Sequence, residues 1–524
     1  MKRNTILLFY LFTLLLFLAA CSETVKDAKQ ETAQPNIYPD YIGVTIPVNI
    51  APLNFCMADE KASVIDAVIT DRHGNTLHSQ GEESLDFDID DWQTLLGQNR
   101  GDSLSVTVSA KYEDGWHTYN PFSIYVSPDS IDYGICYRLI EPGYEVWSKM
   151  GIYERDLSTF DERALIENTQ FEGCVNCHSF NRGNPADMSL HIRGPHGATL
   201  LRHSPSQSLP SGDGELTAYN TKTDKTLGLC VYPYWHPSGR YIAYSTNTTN
   251  QLFHSAGHNR VEVFDTTSDL QVYDVEKNEL LLSPLLKQDS IFETYPVFSA
   301  DGRSLYFCVA KESVESRTDS VENSALLTLN SKLNELHYNL CRIDFDPATG
   351  TFGDSIETII DAANASLSSG EGTRKGLSVS FPRPSYDGRF LCYTLSDYGQ
   401  FSIWHHEADL YLLDLATGES RPMKEANSED TESFHNWSTN SRWMVISSRR
   451  DDGLFTRPYF CHVDAKGNVT KAFMLPQRNP RRFYRDRFLS FNVPDFIICP
   501  TGFDGHKASG LINDEYRKNM GVRQ

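Results

Sequence analysis

Basic residues are few in this chain: 47 Lys and Arg stand against 69 Asp and Glu, a formal charge of −22 over 524 residues. Such a surface repels phosphate backbones, which argues against nucleic acid as a partner. Long apolar runs are also lacking, since the run from Ile6 to Ala20 falls short of the roughly 20 residues a membrane-spanning helix needs. No G-x-S-x-G string occurs and only 24 residues follow Pro500, so no appended serine hydrolase is expected. There is no second CxxC string to complete a four-ligand zinc site. No spacing of Asp and Glu singles out a glycosidase couple, and an enzyme is not the expected reading. What is present is ordinary globular material: 40% hydrophobic and 22% charged residues, with 26 Tyr and 28 Phe that favour strands. The length exceeds what one hydrophobic core serves, so several domains or a repeat architecture are expected.

Lys2 and Arg3 precede the apolar run, and the pattern reads as an export leader over residues 1–20. The run ends Leu18-Ala19-Ala20-Cys21, which resembles the bacterial lipobox. That resemblance implies lipid attachment at Cys21, a membrane anchor, and a mature protein that starts there. Residues 21–39 turn polar without hydrophobic period, as a flexible tether does. Ser22 does not look like an inner-membrane retention signal, so the expected address is the outer membrane, periplasmic or surface-facing.

Between residues 40 and 129, short alternating runs (Ile42 to Ile50, Ala62 to Thr70, Ser84 to Asp88, Ser103 to Tyr112) are parted by turn signals such as His73-Gly74-Asn75 and Glu113-Asp114-Gly115. This predicts a β-sandwich like an immunoglobulin or fibronectin module. Asp86, Asp88, Asp90 and Asp91 lack the glycine of an EF-hand turn and read as a solvated strand edge. Cys56 and Cys136 bracket this domain and are either a bridge or two packed thiols. Residues 130–172 read as a connecting segment.

From 173 to 500 the chain repeats. Tyr232-Pro233-x-Trp235-x-x-Ser238-Gly239-Arg240 recurs as Tyr295-Pro296-x-Phe298-x-x-Asp301-Gly302-Arg303, as Phe381-Pro382-x-Pro384-x-x-Asp387-Gly388-Arg389, and more loosely as Phe434, Trp437, Asn440, Ser441, Arg442. An apolar strand and a second hairpin follow each copy, giving four strands per unit, the content of a propeller blade. The order of proline, aromatic and Asp-Gly-Arg resembles the TolB-like β-propeller, which implies an all-β chain with a propeller of five or six blades. Lys311 to Asn334 reads as an inserted loop and residues 501–524 as a C-terminal tail.

The strong chemical string is Cys174-Val175-Asn176-Cys177-His178. Composition alone predicts about 0.007 such strings here. In this pattern two thiols add across the vinyl groups of a c-type haem and the His supplies an axial nitrogen. Three readings stand: covalent haem c, a Cys174–Cys177 disulfide or redox pair, and a structural relic. Aligning Phe180 with Trp235 puts Cys177 where Tyr232 stands and Asn184 where Gly239 stands, so the string opens the first blade. The Cys-x-x-Cys-His-Ser-Phe lead-in resembles a group of Bacteroidetes lipoproteins that join a TolB-like propeller to a cytochrome-c-type motif. For the sixth iron position Met188 ranks above His191 and His196, beside an open site.

In an up-and-down blade the loops between second and third strands share a face with the start of the first strand. The loops Asn247 to Arg260 (His254, His258), Gln400 to Glu407 (Trp404, His405, His406) and Arg449 to Arg457 are therefore expected near the string, with side chains suited to haem propionates, a sixth ligand or a partner. The functional expectation is an envelope lipoprotein that carries one haem c in electron transfer or redox sensing with a protein partner. The alternative is a haem-free scaffold or binding module in envelope assembly or nutrient capture, with a glycan among the ligands.

Overall fold

The computed structural model describes residues 23–141, 149–204, 215–254, 259, 261–311, 335–369, 372–514 and 516–524. The leader, Cys21, His258, Arg260 and most of the inserted loop lie outside the described residues. The chain is all-β, with 49% of its residues in strands and 8% in helix. Among the described residues no helix is long and apolar enough to cross a membrane.

The first domain differs from the expected pair of stacked sheets. Asp102–Tyr112 is the central strand, flanked by Val64–Thr70 on one side and by Gly115–Thr118 and Phe122–Val126 on the other, in one seven-stranded sheet. Both predicted turns are present, with Gly74 at φ 86° and Gly115 at φ 120°. Among the described residues of this region the one further pairing is the short one of Ile37–Tyr38 with Cys56–Met57. The run Ser84 to Asp88 is not a strand: Asp88 caps a helix, Ile89–Gln98, by accepting from the amides of Asp90 and Asp91, and these two carboxylates sit in its first turn. Trp92 and Leu96 of that helix bury themselves where a second sheet was expected. The tether is also docked from Glu23 onward: the Glu23 amide donates to Gln80, and Lys29–Gln30 pairs with His117–Thr118.

Residues 134–497 build antiparallel sheets on a four-strand plan, two of which, II and III below, are joined by a single parallel bridge between Ser268 and Phe292. Sheet I starts at Cys174–Asn181, sheet II at Val231–Trp235, sheet III at Ile291–Phe298, sheet IV at Ser378–Pro384 and sheet V at Glu432–Trp437. Sheet VI takes its first strand, Ser490–Ile497, from the C-terminal part of the chain and the other three, Gly134–Ile140, Gly151–Asp156 and Glu162–Glu167, from the segment expected to be a connector. A sequence-local reading could not join strands some 350 residues apart. The first strands touch in the cyclic order I, II, III, IV, V, VI and back to I, a propeller-like arrangement. The expected tail adds to the rim: Lys518–Asn519 extends sheet I and Gly521–Arg523 extends sheet II, after a helix at Gly505–Asn513.

The turn glycines answer to packing as well as backbone. Gly302 has φ 73°, and an added Cβ would lie 2.0 Å from Nε2 of His236, a side chain from the preceding sheet. Sheet I turns at Arg182-Gly183, both with positive φ, between paired Asn181 and Asn184. The two-residue turn thus falls before Asn184, where the repeat alignment had placed the glycine.

The first domain packs on sheet V. One apolar cluster runs from Ile65 and Val108 through Trp443 and Phe460, and Asp129 accepts from the Trp443 indole at 3.2 Å while its carboxylate meets His462 at 2.8 Å. Cys56 and Cys136 are both free thiols. Cys56 donates to the Tyr38 carbonyl at the domain junction, whereas Cys136 is buried in sheet VI, so the bridge is not formed.

Candidate functional site

The first strands surround a central cavity of about 260 Å³, near the lower end of small-molecule sites, roughly 300–1,000 Å³. Five of the six first strands approach it through a kink of the same kind, the exception being Glu432–Trp437 of sheet V. Cys177, Tyr232, Tyr295, Phe381 and Val493 all have φ between 46° and 53°, and at each the register with the neighbouring strand slips. These are β-bulges that re-aim a side chain. The structure therefore puts Cys177 in the position of Tyr232, as the repeat alignment expects.

The bulge has a chemical consequence. In a regular strand, residues 174, 176 and 178 share one side and Cys177 points away. With Cys177 in the left-handed region, Cys174, Cys177 and His178 all line the same cavity. Cys174 is half-buried and its sulfur accepts from the Asn176 amide at 3.0 Å. Burial raises the Cys177 thiol pKa. His178 is 3% exposed, and burial pushes its pKa down to about 4, with Arg138 adding to the effect. It is therefore a neutral imidazole at physiological pH. Its Nε2 lies 3.3 Å from the Cys136 carbonyl oxygen and its Nδ1 is buried without a partner. An imidazole that donates one N–H to a backbone carbonyl and keeps a lone pair on the other nitrogen is oriented as metal-binding histidines are.

Cys174, Cys177 and His178 line one cavity wall, with arginines around the space, and these are the residue types that would hold a covalently attached haem. The candidates for a second axial ligand do not face it. Met188 is buried in an apolar cluster with Val175, Phe180 and Ile192, because it follows the regular alternation of the second strand. His191 pairs with Asn176 in register, does not line the cavity, and is held neutral by burial, its pKa pushed down to about 3. His196 is absent from the lining too. Met150 does line the cavity, its sulfur 3.4 Å from the Val175 amide that donates to it. Reading residues 130–172 as a connector hid both Met150 and Arg138. The apolar, strand-like run Ile135-Cys136-Tyr137 with Leu139-Ile140 was the available signal.

Above the motif, the segment expected as a loop from Asn247 is a long hairpin, Tyr241–Phe253 with Val261–Asp274. Its Thr- and Asn-rich sequence suits strands because the side chains bond across the pair: Thr249 donates to Asp265 at 2.7 Å and Thr267 to Thr248 at 2.9 Å. Thr249, Gln251 and Val263 roof the cavity together with Ile403 and Trp404 of sheet IV. The two parts of the roof meet at a buried ion pair. His405 Nε2 is 3.2 Å and 3.3 Å from the two Glu262 oxygens, and its Nδ1 is 3.5 Å from Glu407. Burial alone would lower the His405 pKa, but Glu262 and then Glu407 overcome it and raise it to about 10. Against its own burial, Glu407 is held down to about 2 by this imidazolium. His254 stands 3.5 Å from Glu262, and His406 is 3.1 Å from Asp430. His405 is thus committed to the roof and is not a ligand facing the cavity. On the far side of the bulge ring is a smaller space of about 40 Å³. There Asp495 accepts from Asn436 and from the Phe180 amide, and burial raises its pKa to about 7.

No family profile matches the sequence, and no curated protein matches it. Solved structures do align. TolB from Acinetobacter baumannii covers 78% of this chain and 84% of its own, at 10% identity and a TM-score of 0.39. An oligogalacturonate lyase in complex with manganese covers 65% of this chain and 72% of its own, at 13% identity and a TM-score of 0.34. Prolyl oligopeptidase B from Galerina marginata covers 64% of this chain at 10% identity and a TM-score of 0.35, and the alignment spans 42% of that peptidase. TolB-like β-propeller proteins are thus among the solved structures that align with this chain.

Proposed function

We propose that this chain is an envelope lipoprotein, anchored by lipid on Cys21 in the outer membrane, that holds one c-type haem through Cys174 and Cys177 with His178 as axial ligand. It acts in electron transfer or redox sensing with an envelope protein partner. The observation that carries this reading is the convergence of Cys174, Cys177 and His178 on one cavity. We read the six sheets as six blades closed by strands from both ends, following a leader at 1–20 and a first domain at 40–129. In attachment, each S–H adds across a vinyl C=C, so sulfur gains a carbon and the proton goes to the neighbouring vinyl carbon. When bound, the group supplies one-electron chemistry. The chain's own residues place the thiols, keep His178 neutral and roof the site against water.

A second reading, a haem-free module that captures an envelope or nutrient glycan, draws on Trp404, whose ring lies under Arg449 at 4.2 Å on the cavity wall. A pyridine haemochrome spectrum of denatured protein, made in an exporting host with c-type maturation, decides between them. A c-type band that stays with the polypeptide and disappears in Cys174→Ser/Cys177→Ser supports haem. No band, where a control cytochrome matures, removes it and leaves the glycan module.

A further inference from the structure

The docked tether leaves little chain between the folded body and Cys21. Glu23 is held at one end of the first domain's sheet: its amide donates to Gln80 at 2.6 Å, its carbonyl accepts from the Gln80 amide at 2.7 Å, and its carboxylate pairs with Lys111. Cys21 is two residues upstream, a reach of at most about 7 Å. The same end of the domain runs on to the propeller. Tyr112, next to Lys111, donates to Asp59 at 3.1 Å, and Glu60 pairs with Arg481 at 3.5 Å and with Arg485, both on the helix Pro480–Arg485. Glu82 and Glu83, just past Gln80, line an open cleft of about 440 Å³ together with Arg481, Arg482 and Arg485. Three residues beyond Arg485 stands Phe488, 71% exposed, its ring 6.3 Å from that of Phe455. Arg478, Arg481, Arg482, Arg485 and Arg487 crowd this region, but each has a carboxylate partner. What this end offers beyond its matched charges is therefore an exposed aromatic ring beside the anchor point.

We propose that this end of the molecule, from Lys111 and Glu60 to Phe488, rests on the bilayer that carries the Cys21 lipid, with the Phe488 ring in the headgroup layer. The inference rests on the anchor reading above and needs no haem. A long flexible tether lets a body tumble above its membrane, whereas one docked two residues from the lipid fixes which face meets the surface. The ring adds apolar area to that contact, as aromatic residues at the interface do. Because the arginines are already matched, lipid charge contributes little. The arrangement also locates the central cavity. Thr456 and Ser490 line it, one residue after Phe455 and two after Phe488, so the cavity wall formed by sheets V and VI stands beside the bilayer.

The test reconstitutes the full chain, made in a lipoprotein-processing host, in vesicles of phosphatidylcholine and phosphatidylethanolamine. Its hydrogen exchange is compared with that of Cys21→Ser mixed with the same vesicles. Asp59–Lys61 and Arg482–Leu489 are expected to exchange at least about fivefold more slowly in the anchored chain. The turn Asp346–Thr351 of sheet III, across the ring from sheet VI, should not change. Phe488→Ser should restore fast exchange in Arg482–Leu489 and leave Asp59–Lys61 protected. Inserting about 20 Gly and Ser residues between Ser22 and Glu23, a coil spanning about 25 Å, should remove protection from both segments, and this variant alters no packed residue should Phe488→Ser misfold. Adding phosphatidylglycerol or salt should make no difference. An acylated chain without protection, protection that survives the longer tether, or protection that requires anionic lipid would overturn the proposal. Intact mass separates it from the reading beneath it: acylated Cys21 without protection keeps the anchor and removes the orientation, whereas a chain without acyl groups removes both.

Discussion

Replacing Glu262 with Gln tests whether the cavity roof is held by a buried charge pair. The side chains of His405 and Glu262 are 0% and 1% exposed. Removing one partner of such a pair leaves an uncompensated buried charge, at a cost of about 3–5 kcal/mol. Glu407, 3.5 Å from Nδ1, remains to share the imidazolium, which puts the expected loss at the lower end, about 3 kcal/mol. The pH dependence gives an independent route to the same quantity. The folded pKa of His405, about 10, lies above the unfolded value of about 6.5. The native state therefore binds the extra proton between these values, and its stabilisation is complete below pH 6.5 and lost as pH rises through 10. At about 1.4 kcal/mol per pH unit that window holds at most about 5 kcal/mol, consistent with the first route. Urea unfolding of wild type and Glu262→Gln at pH 6 and pH 9 is the assay. The variant is expected to unfold at lower urea at pH 6, with the gap narrowing by pH 9. Hydrogen exchange should speed first in Thr248–Phe253 and Val261–Thr267. Equal midpoints at pH 6, or a gap that does not change with pH, would refute the charge-pair account.

Two further expectations concern the ring. Gly302→Ala places a Cβ in the left-handed region, a penalty of about 1–2 kcal/mol, and within 2.0 Å of His236, so it should lower the thermal midpoint measurably while Gly418→Ala, with open space around its Cβ position, shows the backbone part alone; identical midpoints for the two would remove the packing argument. Ending the chain after Leu489 deletes the first strand of sheet VI and leaves Gly134–Ile140 without that neighbour, so the unfolding transition should lose cooperativity and the protein should aggregate; a sharp wild-type-like transition would mean that the ring does not depend on this closure.

How far the sequence revealed this structure depends on the range of the interactions. Sheets II to V were legible because each is built within one stretch of chain, and its turn residues mark it locally, as Asp301-Gly302 does. Sheet VI was not, because Ser490–Ile497 and Gly134–Ile140 carry no sign of each other until the ring forces them together. The helix Ile89–Gln98 was misread because Asp88, Asp90 and Asp91 serve equally as strand-edge charges and as a helix cap, and only burial of Trp92 decides between them. At the site, Cys174, Cys177 and His178 were legible as a string. Their shared direction was not, since it comes from one left-handed residue. The ligand rank of Met188 failed to anticipate the structure because spacing along the chain says nothing about which face of a strand meets the cavity.

The position of Cys177 explains why there is a cavity beside this motif at all. Its counterparts are aromatic and touch one another around the ring: Tyr232 to Tyr295 at 4.8 Å, Tyr295 to Phe381 at 4.2 Å, and Phe381 to Phe434 at 4.6 Å between centroids. The chain of rings stops at Cys177 and Val493, whose smaller side chains leave room next to Cys174 and His178. Cys177→Phe would close that gap on a backbone already shaped for it, since Phe381 sits at φ 49° and Cys177 at φ 46°. Overpacking of a filled core costs about 1–3 kcal/mol, but here the ring enters existing space, so the thermal midpoint should stay near wild type. Haem held through Cys174 should be lost in Cys177→Phe, whereas Cys177→Ser, which keeps the space and removes only the thiol, should keep a haemochrome band with one thioether fewer. If Cys177→Phe folds and still carries haem on Cys174, the ligand does not occupy the space beside the motif, and the common site for string and roof is wrong.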